Sequence, residues 1–342
     1  FFRKGQIDDA ISLYRKSINL KPDESISHNN LASALKKKGF FDEAILEYKN
    51  AILLDPKNAI AFFNLGVLFA EMEKPKSAVD AYQQSIKVNP RNVEAYTNLG
   101  IVFQELGSLE LAIDSYNKAL RLEPNNAKSR WNLAISQLLI GNYTEGWKNY
   151  EWRLNNINSN KLHSSPKTQP IFDNIVRSNE NLLVISEQGL GDTIQYMRYI
   201  PYLRDLGLNI SFSAQKKLHD LIKFSNIDSN PLTTEEANYV NDRRWIPLLS
   251  LPKNLGVTTS NPIISKPYIK TNKELLHKWK NELSGETKPI VGINWQGGLD
   301  MEKASYKGRS IPLETFSIIL RQNDITFLSL QKGYGSDQLK DC

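Results

Sequence analysis

Cysteine is almost missing from this chain. Its single occurrence, Cys342, has no partner for a disulfide and no second thiolate for a zinc site. A reducing cytoplasm is the compartment that fits. Histidine is scarce too, and His28, His163, His219 and His277 lack the short spacings that bring two imidazoles to one metal. With no Asp-x-Asp pair either, metal-free chemistry without a resident cofactor is the expectation. No apolar run nears the roughly 18 residues of a membrane span, and no charged-then-apolar leader opens the chain. Like charges form no block longer than Lys36, Lys37 and Lys38, so the formal net charge of +6 is a solvated surface and not a nucleic-acid footprint.

What is present is a period. Pro22, Pro56, Pro90 and Pro124 recur every 34 residues, in step with Tyr14, Tyr48, Tyr82, Tyr116 and Tyr150 and with Ala10, Ala44, Ala78 and Ala112. Leu31, Leu65, Leu99 and Leu133 are each followed by a small residue, Ala32, Gly66, Gly100 or Ala134. Small residues let paired helices cross closely, the aromatic fills the space between them, and proline ends the second helix. Gly5, Gly39, Gly107 and Gly141 mark the turn inside each pair, where the third unit has Glu73, Lys74 and Pro75. These anchors resemble the tetratricopeptide repeat over residues 1–154, about five units with the first partial. Phe1 already stands inside a unit, so the natural N-terminus, with any targeting signal, is expected to lie upstream.

Such repeats stack into a superhelical solenoid whose concave groove is lined by the first helix of each unit. Asn30, Asn64, Asn98 and Asn132 fall in those helices, again in 34-residue steps. The resemblance to O-linked N-acetylglucosamine transferases implies an amide ladder that grips the backbone of an extended protein or peptide partner. The other reading of the same residues is that they make helix-end and inter-repeat hydrogen bonds.

Residues 155–180 turn to Asn, Ser, Pro and Lys, a linker expected to wrap without packing. Before it, Trp147, Tyr150, Trp152 and Arg153 make an aromatic end that caps the solenoid or docks it on the next domain. Beyond it the pattern becomes α/β: a strand over 182–185, a helix over 194–206, a strand over 209–213 and a helix over 216–224. That alternation predicts a parallel, doubly wound sheet. Gly189 and Gly191 open like a dinucleotide fingerprint, but Ile194 occupies the third glycine place and no acidic residue ends the second strand. A Walker lysine is missing as well, which excludes a P-loop.

Five ordered blocks carry a further resemblance: residues 187–202, 247–252, 291–297, 309–313 and 327–333. They are similar to bacterial glycosyltransferase family 9, the heptosyltransferase-like proteins that also bear tetratricopeptide repeats. The resemblance implies a GT-B architecture, with an N-terminal Rossmann-like domain over 181–287 and the start of a truncated nucleotide-sugar domain over 288–342. It implies Asp192 as catalytic base with Glu187 in reserve, although Asp192 also reads as a helix cap and Glu187 as a structural residue. It further implies donor-phosphate contacts from Arg309, Lys307, Gly297, Gln331 and Lys332, where a guanidinium fork suits a diphosphate. Trp245 stands where that family is expected to carry histidine.

Two functions emerge. One is a glycosyltransferase that moves a sugar from a nucleoside-diphosphate donor, its co-substrate, to a protein or glycan recruited by the repeats, inactive as this fragment. The alternative is a non-catalytic tetratricopeptide scaffold with a decayed transferase domain.

Overall fold

The computed structural model describes residues 6–155, 162–170, 179–263, 266–296, 310–333 and 335–341. Nine helices open the described chain: α1 (Ile7–Leu20), α2 (Ser25–Lys38), α3 (Phe41–Leu54), α4 (Ala59–Glu71), α5 (Pro75–Val88), α6 (Val93–Glu105), α7 (Leu109–Leu122), α8 (Ala127–Leu139) and α9 (Tyr143–Tyr150). They pack as antiparallel pairs, and each proline of the period follows the residue that caps α1, α3, α5 or α7. Tyr48, Tyr82 and Tyr116 are buried against Ala44, Ala78 and Ala112, each burial favouring the fold by about 1.5–3 kcal/mol. The glycines of the period are required by contact: a Cβ on Gly66 would stand 2.7 Å from the Tyr82 ring, and one on Gly100 2.5 Å from that of Tyr116.

The α/β part begins with three parallel strands in the order β2-β1-β3: β1 (Asn181–Ile185), β2 (Asn209–Ser213) and β3 (Arg244–Pro247). Helices α10 (Leu190–Tyr196) and α11 (Tyr199–Asp205) connect β1 to β2, and α12 (His219–Phe224) and α13 (Thr234–Ala237) connect β2 to β3. Helix α14 (Leu251–Asn254) follows β3. Residues 182–185 are fully buried because helices or chain cover both faces of the central strand. The helix expected over 194–206 is two shorter helices, and the expected strands match β1 and β2 closely.

The repeats and this sheet are not separate bodies. Ala134, Trp147 and Tyr150 belong to the same buried cluster as Leu182, Val184 and Phe212, and the described residues up to 269 fall in one compact unit. Trp147 seals the join by donating its Nε1–H to the Val257 carbonyl at 3.1 Å. The linker also departs from expectation, since its described residues pack. Leu162 bridges Glu187 and Pro170 bridges Trp245, while Trp245 donates its backbone N–H to Gln169 and its indole N–H to the Thr168 carbonyl.

A second unit spans residues 270–342. It holds α15 (Lys273–Glu282), the strand β4 (Ile290–Ile293), α16 (Ser317–Leu320) and β5 (Thr326–Ser329), with β4 and β5 parallel. Its small core is built on Trp295, whose Nε1–H bonds to the Gly335 carbonyl at 3.2 Å. Among the described residues no helix is long and apolar enough to cross a membrane.

Candidate functional site

The first helices of successive pairs, α2, α4, α6 and α8, adjoin one another. Asn30, Asn64, Asn98 and Asn132 therefore recur at one register of one continuous face, and all four are half-buried. Helix capping falls to a different set in the same period: Asn58, Asn92 and Asn126 accept at 3.0, 3.0 and 2.9 Å from the backbone N–H of Ala61, Ala95 and Ser129. Sequence reading missed that second ladder, although its 34-residue step and its place before each first helix are visible. Some inter-repeat bonding does involve the expected set. Asn64 donates to Asn29 at 3.1 Å and Asn98 accepts from Lys128 at 3.1 Å, while Asn30 accepts from its own neighbour Asn29.

The second region is the carboxyl edge of β1, where ligands bind in open parallel sheets. The backbone there turns through Gln188 at φ 62 into Gly189 and α10. Asp192 is half-exposed, and its Oδ2 accepts the Gly189 N–H at 2.9 Å. That contact caps the helix.

Glu187 is placed otherwise than a reserve base requires. Its carboxylate is fully buried, accepts Arg153 Nη2 at 2.7 Å and Nε at 3.0 Å, and takes the Leu249 N–H at 3.1 Å. Arg153 is buried as well and binds Glu151 at 2.6 Å and Ser250 at 2.8 Å. Burial works to lower the guanidinium's pKa, but the Glu187 and Glu151 carboxylates outweigh it and raise it. A buried charge so fully bonded is structural: it ties the end of the repeats to the end of β1.

Linker residues close over the same edge. His163 donates its backbone N–H to Ser186, its Nδ1 lies 3.0 Å from Ser186 Oγ, and Ser164 donates to the Thr234 carbonyl at 2.8 Å. Burial holds the His163 imidazole below its ordinary pKa, against opposing hydrogen bonds and the Glu187 charge. The ring is therefore neutral near pH 7. Nothing in its sequence spacing marks His163, because it reaches the sheet through backbone pairing.

In the second unit, Gln331 accepts from the backbone N–H of Trp295 and Gln296 at 3.2 and 3.0 Å, so its amide clamps the ends of β4 and β5. Lys332 is exposed beside it. Gly297, Lys307 and Arg309 lie outside the described residues.

Comparison with known proteins bears on the helical part. The tetratricopeptide repeat family matches residues 93–126, and the TPR repeat family matches residues 1–39, 34–73 and 74–107. Residues 1–126 are thus tetratricopeptide repeats. Among solved structures, MamA is similar at 26% identity over 44% of this chain and 89% of its own, with a TM-score of 0.42. A structure titled as YrrB, a TPR protein with an unusual peptide-binding site, shares 19% identity over 44% of this chain and 77% of its own, TM-score 0.39. PilF of Pseudomonas aeruginosa shares 22% over 44% and 68%, TM-score 0.41. A search of curated proteins returns no match.

Proposed function

We propose that this chain is a protein-interaction scaffold whose repeats bind an extended peptide along α2, α4, α6 and α8. One observation carries the reading: Asn30, Asn64, Asn98 and Asn132 hold one half-exposed register, while capping is done by Asn58, Asn92 and Asn126. A carboxamide both donates and accepts, which suits a peptide backbone of any sequence. Selection from a library of random dodecapeptides tests it. Peptides recovered on the parent should bind Asn64→Ala/Asn98→Ala at least tenfold more weakly, and equal binding would refute the reading. A cytoplasmic setting belongs to the same proposal.

Glycosyl transfer is the second reading. It is favoured by the parallel order β2-β1-β3 with Gly189, Gly191 and Asp192 at its carboxyl edge. In it Asp192 takes the acceptor proton, and the donor's diphosphate meets Gly297, Lys307, Arg309, Gln331 and Lys332. Two observations weigh against it: Glu187 is committed to Arg153, and the linker occupies part of the edge where an acceptor would lie. Asparagine caps a helix about as well as aspartate but takes no proton. For transfer, Asp192→Asn should cut turnover of the complete protein by about a hundredfold or more with folding unchanged. Turnover within a few-fold of the parent would leave Asp192 a cap.

A further inference from the structure

The face of the first helices changes character at its last member. Leu139 of α8 stands where the preceding units carry Glu105, Glu71 and Lys37, and Leu138 where they carry Gln104, Ala70 and Lys36. Ile135 and Leu139 lie three and seven residues beyond Asn132, which puts them on the same side of the helix as that last asparagine. All three earlier equivalents of Leu139 are charged. Here a leucine is 63% exposed to water.

These side chains form one wall of a crevice of about 430 Å³. Tyr143, Trp147 and Tyr196 face them. Trp147 is fixed by its bond to Val257 and by edge-on packing against Tyr196, with ring centroids 6.4 Å apart, so the aromatic wall exists before anything binds. Burial raises the Tyr196 phenol to about 12. Polar groups sit at the rim. Arg198 is held there by its bonds to the Gln195 carbonyl at 2.8 Å and the Tyr268 hydroxyl at 3.3 Å.

The geometry points to a side-chain pocket at the end of the asparagine face, which takes one aromatic or leucine side chain of an extended peptide lying along Asn64, Asn98 and Asn132. This rests on the peptide-binding reading and adds its specificity. The apolar wall belongs to α8 itself, and it begins at Ile135, one turn from Asn132, and reaches Leu139 about 10 Å along the helix. The volume lies in the lower part of the range of about 300–1,000 Å³ for ligand pockets and suits one large residue. The fixed guanidinium at the rim complements peptide carbonyls or an acidic neighbour of the anchor.

The test extends the dodecapeptide selection to Leu139→Glu, a change at an exposed position that should leave the circular dichroism spectrum and Tm as in the parent. Recovered peptides should share an aromatic residue or leucine, and both its replacement by alanine and Leu139→Glu should weaken binding at least tenfold. Parent-like binding by Leu139→Glu overturns the pocket, and loss in Asn64→Ala/Asn98→Ala then still upholds the groove. Loss in Leu139→Glu alone keeps the pocket and overturns the groove. A library that yields no binder overturns both. A Trp147 indole resonance shifted by methyl glucoside, but not by N-acetylleucinamide or N-acetylphenylalaninamide, assigns the crevice to a small polar ligand and overturns the proposal.

Discussion

Single residues show where this chain departs from its own pattern. Gly39, Gly107 and Gly141 take φ of 85, 74 and 82 at the turns inside their pairs, and Glu73 takes 57 at the equivalent turn. Left-handed backbone costs a residue with a Cβ about 1–2 kcal/mol, partly offset by the freedom glycine adds to the unfolded chain. Glu73→Gly is expected to raise the unfolding free energy by about 0.5–1 kcal/mol, which urea melts of the two proteins would show. An unchanged or lowered midpoint would mean that Glu73 makes a compensating contact. His163 offers a second test. Its folded pKa is lowered, chiefly by burial, so the unfolded state holds this proton more tightly. The stability it contributes is present above about pH 6.5 and is lost as pH falls through the lower folded value. An NMR titration should place the imidazole below the ordinary histidine range, and a normal value would free the ring from Ser186.

At the scale of elements, the pair of Arg153 and Glu187 is a buried tie between the end of the repeats and β1. Removing one partner strands a buried charge and costs about 3–5 kcal/mol. Arg153→Ala should therefore destabilise by that amount. Arg153→Met with Glu187→Leu should cost far less than the two single changes together, and simple additivity in that cycle would contradict the account. The sequence already marks Glu187 as a structural residue and Arg153 as part of the cluster that caps or docks the repeats, but not their pairing. The repeats were legible in the sequence, because a 34-residue step repeats the same contacts and so the same residue types, and β1 and β2 were, because burial on both faces demands unbroken apolar runs. Glu187 has no such signature, since its partner lies across a linker of irregular composition. The packing of that linker was hidden for a similar reason: Trp245 and Thr168 join by a side-chain bond to backbone, which leaves no period. Asn64 and Asn92 shared one step in the sequence, and only the hydrogen bonds sorted a half-exposed face from a row of caps.

On the scale of the molecule, the repeats and the first sheet have one core, with Trp147 and Tyr150 packed into the cluster that buries β1. A peptide on α8 would therefore touch a helix that also packs into the α/β core. Peptide recognition stands on the asparagine face, and calorimetry tests it most directly. A dodecapeptide recovered on the parent chain is titrated into the parent and into Asn64→Ala/Asn98→Ala, after matching melts have shown both folded. The predicted result is a Kd at least tenfold higher for the variant, about 1.4 kcal/mol of lost binding, and equal Kd values would contradict it.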